Sequence, residues 1–309
     1  MPSSLDQLRA LSTIVADSGD IAAIRRVRPV DATTNPSLVL KAVDAGGGDV
    51  AEWIAAARAS STQLDQQRWW LSARFASAIQ DSVERWVSLE ADATLSYDTA
   101  GTIACAHALL EAVARTGGDP ARILIKIAAT WEGIRAARVL EATGIRCNLT
   151  LIFSLAQAQL CAEGGITLIS PFVGRITDWH TARGEQFADA DEDPGVQSVR
   201  RIADWVKRGG YATLVMGASF RSTAQVLGLA GCDLLTVAPD LLDALAASAD
   251  PVESAINRLD PAQRAEGVAP DHGPFLQSLA EDAMAGEKLL EGIRRFAVDQ
   301  RALEQRLAR

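Results

Sequence analysis

The sequence predicts an α/β protein that folds as a single parallel (β/α)8 barrel, the TIM barrel fold. Two observations predict this class. Eight short apolar runs, of the kind found in strands buried on both faces, alternate with longer stretches of helical spacing. The chain of 309 residues is also long enough, since such a barrel usually needs roughly 250. Eight parallel strands can close on one another, and closure leaves no sheet edge exposed.

The eight runs give the predicted strands in chain order. They cover residues 13–17, 30–33, 86–90, 123–127, 147–153, 167–171, 212–217 and 234–237. Helical spacing follows several of them, and it is clearest at 131–143, 154–163 and 222–229. Each of these three stretches ends at or near a glycine, as helices often do. Strand and helix therefore alternate as the main pattern of the chain.

Three segments add to this repeat. A helix is predicted at 5–11, before the first strand, and the gap between the second and third strands holds at least two helices. After the last strand, residues 239–309 are predicted as helices, with an amphipathic final run at 283–307. The acidic run 189–193 is predicted as a solvated loop. No linker or shift in composition marks a second domain, so we expect one catalytic domain over residues 1–309.

Charge and composition argue against several classes of partner. The net charge of −9 and the pI of about 5.0 disfavour nucleic acid or an anionic membrane, although a local group of arginines can still bind a small anion. The four cysteines lack C-x-x-C spacing and the three histidines are widely separated, so no metal site is expected. No apolar run reaches the length of a membrane span and the N-terminus lacks a secretory pattern, so we expect a cytoplasmic protein.

Lys126 is the sharpest anomaly in this pattern. It lies in the run ILIKI at 123–127, which otherwise suits a strand buried on both faces. Burial of an ammonium costs several kcal/mol unless the group is paired or deprotonated. A lysine in such a place can act as a nucleophilic amine that forms a Schiff base with a carbonyl. The alternative is a strand-end lysine that reaches solvent or pairs with a carboxylate, and Lys126 alone does not decide between them.

Other polar side chains stand at strand ends, where barrels of this kind carry their active sites. Asp17 and Glu90 close the first and third strands, and either could transfer protons, although a helix cap and a solvated loop carboxylate are the ordinary alternatives. Asn148 and Thr150 share one face of the fifth strand. Ser170 ends the sixth strand just before a proline, where it could also be a simple turn residue.

Two loops carry residues suited to phosphate. Ser219 and Arg221 follow the seventh strand, just before a predicted helix, and Arg175 follows the sixth strand. Loops after the last strands of such barrels often hold a substrate phosphate, aided by helix N-termini. Two arginines could bind one phosphate through charge-assisted hydrogen bonds. Taken singly these are ordinary surface arginines, but as a pair beside Lys126 they favour a phosphate site.

Four motifs resemble those of the transaldolase family over nearly the whole chain, from about residue 8 to 303. They are DATTNPS at 31–37, ILIKIA at 123–128 with TWEGI at 130–134, NLTLIFS at 148–154, and ISPFVGR at 169–175. The resemblance implies a circularly permuted barrel with a helix before its first strand. It also implies a pentose phosphate pathway reaction: sedoheptulose 7-phosphate and glyceraldehyde 3-phosphate exchange a dihydroxyacetone unit to give erythrose 4-phosphate and fructose 6-phosphate.

The resemblance assigns a role to each candidate residue. Lys126 would form an imine with the ketone, and Asp17 would take the proton of the hydroxyl beside the breaking carbon–carbon bond. Glu90 and Thr150 would position the water that forms and hydrolyses the imine. The residues implied for substrate binding are Thr33, Asn35, Asn148 and Ser170 for hydroxyls, and Arg175, Ser219 and Arg221 for phosphate. The protonated imine accepts the electrons, so no cofactor is implied.

The sequence leaves two alternative functions open. A fructose-6-phosphate aldolase shares the lysine, but its relatives tend to carry tyrosine where this chain has Phe172, and Phe172 favours transfer. A non-catalytic barrel that binds sugar phosphate would be expected to lack Lys126, Asp17 or Glu90. The chain departs from the family at Gln277 and Ala280, and in 65–88 and 250–274, regions expected to lie away from the chemistry. A homodimer is a family-level expectation.

Overall fold

Eight parallel strands close into a barrel in the computed structural model, which describes residues 2–47, 49–256 and 271–309. Each strand pairs with the next in chain order, and the last pairs with the first. The strands are β1 (Thr13–Asp17), β2 (Asp31–Thr33), β3 (Val87–Glu90), β4 (Ile123–Ala128), β5 (Cys147–Ile152), β6 (Leu168–Pro171), β7 (Leu214–Gly217) and β8 (Leu234–Val237). The predicted (β/α)8 barrel is confirmed, and the predicted strand ends differ from these by two residues at most.

Helices surround the barrel. In chain order they are α1 (Ser4–Arg9), α2 (Ile21–Val27), α3 (Pro36–Ala45), α4 (Val50–Ser60), α5 (Leu64–Gln80), α6 (Thr99–Arg115), α7 (Trp131–Ala142), α8 (Leu155–Glu163), α9 (Gly174–Thr181), α10 (Pro194–Arg208), α11 (Thr223–Leu227), α12 (Pro239–Ala247), α13 (His272–Glu281) and α14 (Ala283–Leu307). The predicted helix before the first strand is confirmed as α1. Three helices, α3 to α5, fill the gap between β2 and β3. The prediction of C-terminal helices is wrong at 248–256, which are not helical, and its part at 257–270 lies outside the described residues.

Side-chain caps fix where the helices begin, directly after the strands. Asp20 accepts hydrogen bonds from the first backbone N–H groups of α2, Asn35 caps α3, and Ser154 forms a capping box with Gln157 at α8. Such caps satisfy the N–H groups that a helix leaves unpaired at its start. They hold each strand-to-helix loop in place, and these loops surround the end of the barrel where the strands finish.

The acidic run is a solvated loop only in part. Asp193 is 6% exposed and caps α10 by accepting hydrogen bonds from the N–H groups of Gly195 and Val196. Its carboxylate also accepts from the hydroxyl of Thr177 and the amide of Gln225. The prediction of a fully solvated loop is therefore wrong at Asp193, because a run of acidic residues in the sequence does not show which side chain faces inward.

The barrel interior has an apolar floor. Val15, Leu124, Leu168, Met216 and Leu234 pack together there, and all five are buried. Branched and long apolar side chains fill such interiors and leave no pore. Chemistry in this barrel is therefore confined to the polar side chains above this floor, toward the carboxyl ends of the strands.

The long helix α14 packs across that same end of the barrel. Its Phe296 and Leu289 belong to one buried cluster with Leu151, Phe153 and Phe172, which lie in or just after β5 and β6. Gly292 allows this close approach, since a Cβ there would lie 2.6 Å from a methyl carbon of Leu151. In the described ranges, no helix combines the length and the apolar character that a membrane span requires.

Candidate active site

The strand registers, followed around the closed barrel, arrange the inward side chains in layers. Strands at alternate positions contribute four side chains to each layer. Lys126 shares its layer with one residue from each of three other strands: Thr33, Ser170 and Thr236. The next layer toward the strand ends contains Asp17, Glu90, Thr150 and Ala218. Six predicted polar residues, one from each of β1 to β6, are thereby brought into two adjacent layers despite their separation in sequence.

Lys126 lies inside the barrel among oxygen atoms. It is 5% exposed, and its Nζ lies 3.6 Å from Oε2 of Glu90. Nζ also donates hydrogen bonds to the hydroxyl of Thr33 at 3.3 Å and to the carbonyl of Thr34 at 3.4 Å. The alternative in which Lys126 reaches solvent is therefore wrong. A buried amine beside a carboxylate can exchange a proton with it, and imine formation needs such an exchange.

Burial makes both carboxylates of the upper layer unusually basic. Desolvation raises the pKa of Glu90 to about 7, although the positive charge of Lys126 acts in the opposite direction. Desolvation likewise raises the pKa of Asp17, against the charges of Lys126 and Arg175. The cap of α2 is Asp20, so Asp17 is not the helix cap that its position allowed. Glu90 is not a solvated loop carboxylate either, because its side chain is 5% exposed.

A chain of hydrogen bonds holds the polar face of β5 and β6. Ser170 donates from its hydroxyl to Oδ1 of Asn148 at 2.6 Å, and Asn148 donates from Nδ2 to the hydroxyl of Ser88 at 2.9 Å. All three are buried. Ser88 was not singled out from the sequence, although alternation along β3 places it on the same face as Glu90. These two hydrogen bonds hold the amide of Asn148 in one orientation beneath Lys126.

Two buried oxygen atoms beside Lys126 have no hydrogen-bond partner among the described residues. They are Oγ1 of Thr150 and Oε2 of Glu90. Oε2 of Glu90 still contacts Nζ of Lys126 as an ion pair, whereas Oγ1 of Thr150 has no such contact in the described residues. Buried polar atoms are hydrogen-bonded in most proteins, so these two oxygen atoms point to a bound water or ligand. Just past Thr150, Leu151 has a φ of 58° and the pairing of β5 with β6 shifts register. This local irregularity places Leu151 in contact with α14.

Positive charge collects where β6 and β7 end. The guanidinium carbon of Arg175 lies 4.9 Å from the ring centre of Phe172 and 5.5 Å from that of Phe296. Burial, followed by the nearby charges of Arg295 and Arg221, lowers the pKa of Arg175 to about 10. Because these guanidinium groups repel one another, an anion bound among them is stabilised.

Ser219 and Arg221 complete this end of the site. Arg221 is exposed, pairs with Asp178 at 2.8 Å, and points Nη1 at the hydroxyl of Ser219, 3.3 Å away. Gly174 lets the two loops meet, because a Cβ there would lie 2.5 Å from the carbonyl oxygen of Ser219. The backbone N–H of Gly174 donates to that same carbonyl. The expected phosphate residues are thus brought together by backbone packing.

One cavity of about 60 Å³ extends from Lys126 to Arg175 and Ser219, and Arg221 lies outside its lining. The predicted residues that line it are Asp17, Thr33, Asn35, Lys126, Ser170, Phe172, Arg175 and Ser219. Asn35 uses its amide oxygen to cap α3, which leaves its NH2 group for a ligand. No group of three or more histidine, cysteine, aspartate or glutamate residues suited to a metal occurs in the described part of the chain.

Comparison with known proteins assigns the family. The family described as Transaldolase/Fructose-6-phosphate aldolase matches residues 14–307. This chain belongs to the transaldolase/fructose-6-phosphate aldolase family. Among its relatives, the proteins named transaldolase from Shewanella amazonensis and Vibrio vulnificus are 49% and 48% identical to it. The alignments cover 99% and 100% of this chain and 98% and 99% of those proteins.

Two residues near the site of this transaldolase/fructose-6-phosphate aldolase barrel, Phe296 and Arg68, were not predicted from the sequence. Phe296 of α14 lines the cavity, yet nothing in its amphipathic helix distinguishes it from an ordinary core residue. Arg68 lies in the region 65–88, which was expected to be remote from the chemistry. It forms buried ion pairs with Asp92, two residues after Glu90, and with Glu304 of α14. These pairs join the region to the loop after Glu90 but do not place Arg68 in the site, whereas the expectation is wrong at Ser88, which hydrogen bonds Asn148 inside the barrel.

Proposed function

We propose that this chain is a transaldolase that transfers a dihydroxyacetone unit between sugar phosphates through a Schiff base on Lys126. The observation that carries the proposal is a buried lysine amine that lies 3.6 Å from a buried glutamate and faces a cavity extending to Arg175 and Ser219. The relatives that align over almost their full length are named transaldolase. Sedoheptulose 7-phosphate and fructose 6-phosphate are the proposed donors.

Imine formation is the proposed first step. The neutral amine of Lys126 adds to the ketone carbon of the donor, and loss of water from the resulting carbinolamine gives a protonated imine. Glu90 and Thr150 position that water and move its protons. This role is supported by a buried oxygen atom on each side chain that has no hydrogen-bond partner among the described residues. A carboxyl group whose pKa is about 7 can both give and accept a proton near neutral pH.

Cleavage and transfer follow from the electron demand of the imine. Asp17 accepts the proton of the hydroxyl beside the breaking bond, the carbon–carbon electrons move toward the imine nitrogen, and an aldose leaves. The enamine on Lys126 then attacks the aldehyde carbon of an acceptor, and Asp17 returns the proton to the new hydroxyl. The raised pKa of Asp17 supports this role, because a more basic carboxylate is the better proton acceptor. Water then adds to the resulting imine, and collapse of the carbinolamine releases the new ketose and restores the amine of Lys126. With this hydrolysis the steps balance without a metal or organic cofactor.

The remaining polar residues are proposed to bind substrate. Thr33, Asn35, Asn148 and Ser170 hold the hydroxyls of the three-carbon unit, and Arg175, Ser219 and Arg221 hold the phosphate. Phe172 is 6% exposed and packs edge-on against Phe153, with ring centres 5.4 Å apart. A phenyl ring cannot hold a water, so Phe172 is proposed to favour transfer to an aldose over release of free dihydroxyacetone.

A borohydride trap tests the proposal. Protein is incubated with fructose 6-phosphate, reduced, digested and analysed by mass spectrometry. A three-carbon adduct on Lys126 is expected, because the enamine left after departure of the aldose takes up a proton at carbon to give the protonated imine of dihydroxyacetone, which borohydride reduces to a stable amine. Lys126→Ala should lose the adduct and turnover, whereas Lys41→Ala, a change at an exposed lysine of α3, should keep both. Folded protein that binds the sugar phosphate without forming the adduct would support a non-catalytic barrel instead.

The acceptor decides between the two activities in the family description. A transaldolase should form sedoheptulose 7-phosphate and glyceraldehyde 3-phosphate from fructose 6-phosphate and erythrose 4-phosphate, without release of free dihydroxyacetone. Release of dihydroxyacetone at the rate of donor consumption would instead identify a fructose-6-phosphate aldolase. We also propose that residues 1–309 act as one catalytic domain in the cytoplasm and as a homodimer. Light scattering of the purified chain tests the dimer.

A further inference from the structure

Thr236 is a polar member of the Lys126 layer to which no role has been given. It lies on β8, is 4% exposed and faces the cavity that also contains Lys126 and Asp17. The other members of its layer, Thr33 and Ser170, hydrogen bond within the site. Among the described residues, Oγ1 of Thr236 has no hydrogen-bond partner. A buried hydroxyl without a partner costs about 1–3 kcal/mol, which a bound ligand can offset.

The position of β8 in the barrel shows what Thr236 faces. Three strands lie between β8 and β4 in either direction around the closed barrel, so Thr236 lies across the barrel from Lys126. Its neighbours are β7, which leads into Ser219, and β1, which ends at Asp17. In the layer above, β7 contributes Ala218, which has no polar side chain. Thr236 is therefore the polar group of the wall between Asp17 and the phosphate-binding loop.

A donor sugar must cross this wall. Its ketone carbon is bonded to Lys126, the hydroxyl that loses its proton lies at Asp17, and its phosphate lies at Arg175 and Ser219. With the sugar held in this way, its carbon chain between Asp17 and Ser219 passes over β8, because β8 lies between β1 and β7. The three-carbon unit itself stays on the Lys126 side, where Thr33 and Ser170 flank it.

We propose that the Thr236 hydroxyl binds a hydroxyl of the aldose portion of the substrate, the portion that leaves after cleavage and that arrives as the acceptor. The inference rests on the Schiff-base function proposed for Lys126. It makes Thr236 a residue that selects for hydroxylated aldoses and not for the three-carbon unit. Because the contact exists only with substrate bound, the hydroxyl does not stabilise the free protein.

Two substitutions at Thr236 test this. Thr236→Val keeps the shape and removes the hydroxyl, whereas Thr236→Ser keeps the hydroxyl. The first should lower kcat/KM for fructose 6-phosphate about 10- to 100-fold, and the second should stay within about threefold of the wild type. Borohydride trapping of dihydroxyacetone alone on Lys126 should change less than about threefold in both. The Tm of Thr236→Val without substrate should be no lower than that of the wild type.

The outcomes separate the two hypotheses. If the wild type traps the three-carbon unit but Thr236→Val keeps its full kcat/KM with fructose 6-phosphate, the Thr236 contact does not exist. Equal losses with fructose 6-phosphate and with dihydroxyacetone would place its effect on Lys126 and overturn the proposal. A lowered Tm that Thr236→Ser restores would show a structural hydrogen bond and overturn it as well. If the wild type forms no adduct, the Schiff-base function fails first, and the Thr236 proposal fails with it.

Discussion

Glu90 should make the stability of the folded protein depend on pH in a way that its glutamine variant does not. Burial raises the pKa of Glu90 from 4.5 to about 7. Between these pH values the folded protein keeps the proton that the unfolded chain has lost. The stabilisation linked to the protonated carboxyl is therefore present below pH 4.5 and is lost as pH rises through about 7.

The magnitude follows from the same pKa change. A tenfold change in proton affinity corresponds to about 1.4 kcal/mol, so a change from 4.5 to about 7 corresponds to about 3 kcal/mol. Glu90→Gln has nearly the same shape and no titration. The free energy of unfolding of the wild type should therefore fall by about 3 kcal/mol relative to that of Glu90→Gln between pH 4.5 and 8.

Urea unfolding at a series of pH values measures this difference. Glu111→Gln is the matched control, because Glu111 lies on the surface of α6 and its side chain is 72% exposed. Its curve should run parallel to that of the wild type. If the wild type and Glu90→Gln also give parallel curves from pH 4.5 to 8, Glu90 does not titrate near neutral pH in the folded protein. Its proposed role in moving protons at Lys126 would then lose its physical basis.

Three further predictions test the rest of the site. Arg221→Ala should raise the KM for fructose 6-phosphate about tenfold or more, because a charge-assisted hydrogen bond to the phosphate is lost. The KM for unphosphorylated fructose should change little, and steady-state kinetics with both donors measures the difference. Arg68→Met should lower the free energy of unfolding by about 3 kcal/mol, since Asp92 loses the partner of a buried ion pair; urea titration measures it. Gly292→Ala should cost about 1–3 kcal/mol, because the new methyl meets Leu151 2.6 Å away; its Tm should fall accordingly.

Matched variants show whether these effects are specific. An equal loss with both donors would mean that Arg221 does not recognise phosphate. Arg115→Met removes an exposed pair with Glu111 and should change stability little, so a loss as small for Arg68→Met would count against its buried network. Gly273→Ala meets no atom within 4 Å and should leave the Tm unchanged. A similar result for Gly292→Ala would show that α14 can move away from Leu151.

Several elements could be read from sequence because they depend on local physics. The apolar runs of β1 and β8 end where predicted, since a strand buried on both faces needs an unbroken apolar stretch. Helix α14 covers the predicted residues 283–307, because its period and its Asp282 cap are both local signals. Lys126 was conspicuous for the same reason, as a charge inside such a run.

Other features depended on contacts between distant parts of the chain. No sequence pattern indicates that Phe296 lines the cavity, because the pattern of an amphipathic helix with an aromatic residue does not depend on where the helix packs. Arg68 lies 24 residues before Asp92, and no local pattern joins them. Only the fold decided that Asp20, and not Asp17, caps α2, since both carboxylates precede the helix in the sequence.

The sequence by itself determined the strands, most of the helices, and which polar residues stand at strand ends. Only the tertiary structure decided how these residues meet, because the closure and register of the barrel set the layers. The register places Thr236 level with Lys126 although 109 intervening residues separate them, and it places Ala218 above the gap between them. Burial then sets the chemistry, since the pKa of Glu90 depends on desolvation by neighbours that the chain brings from every strand.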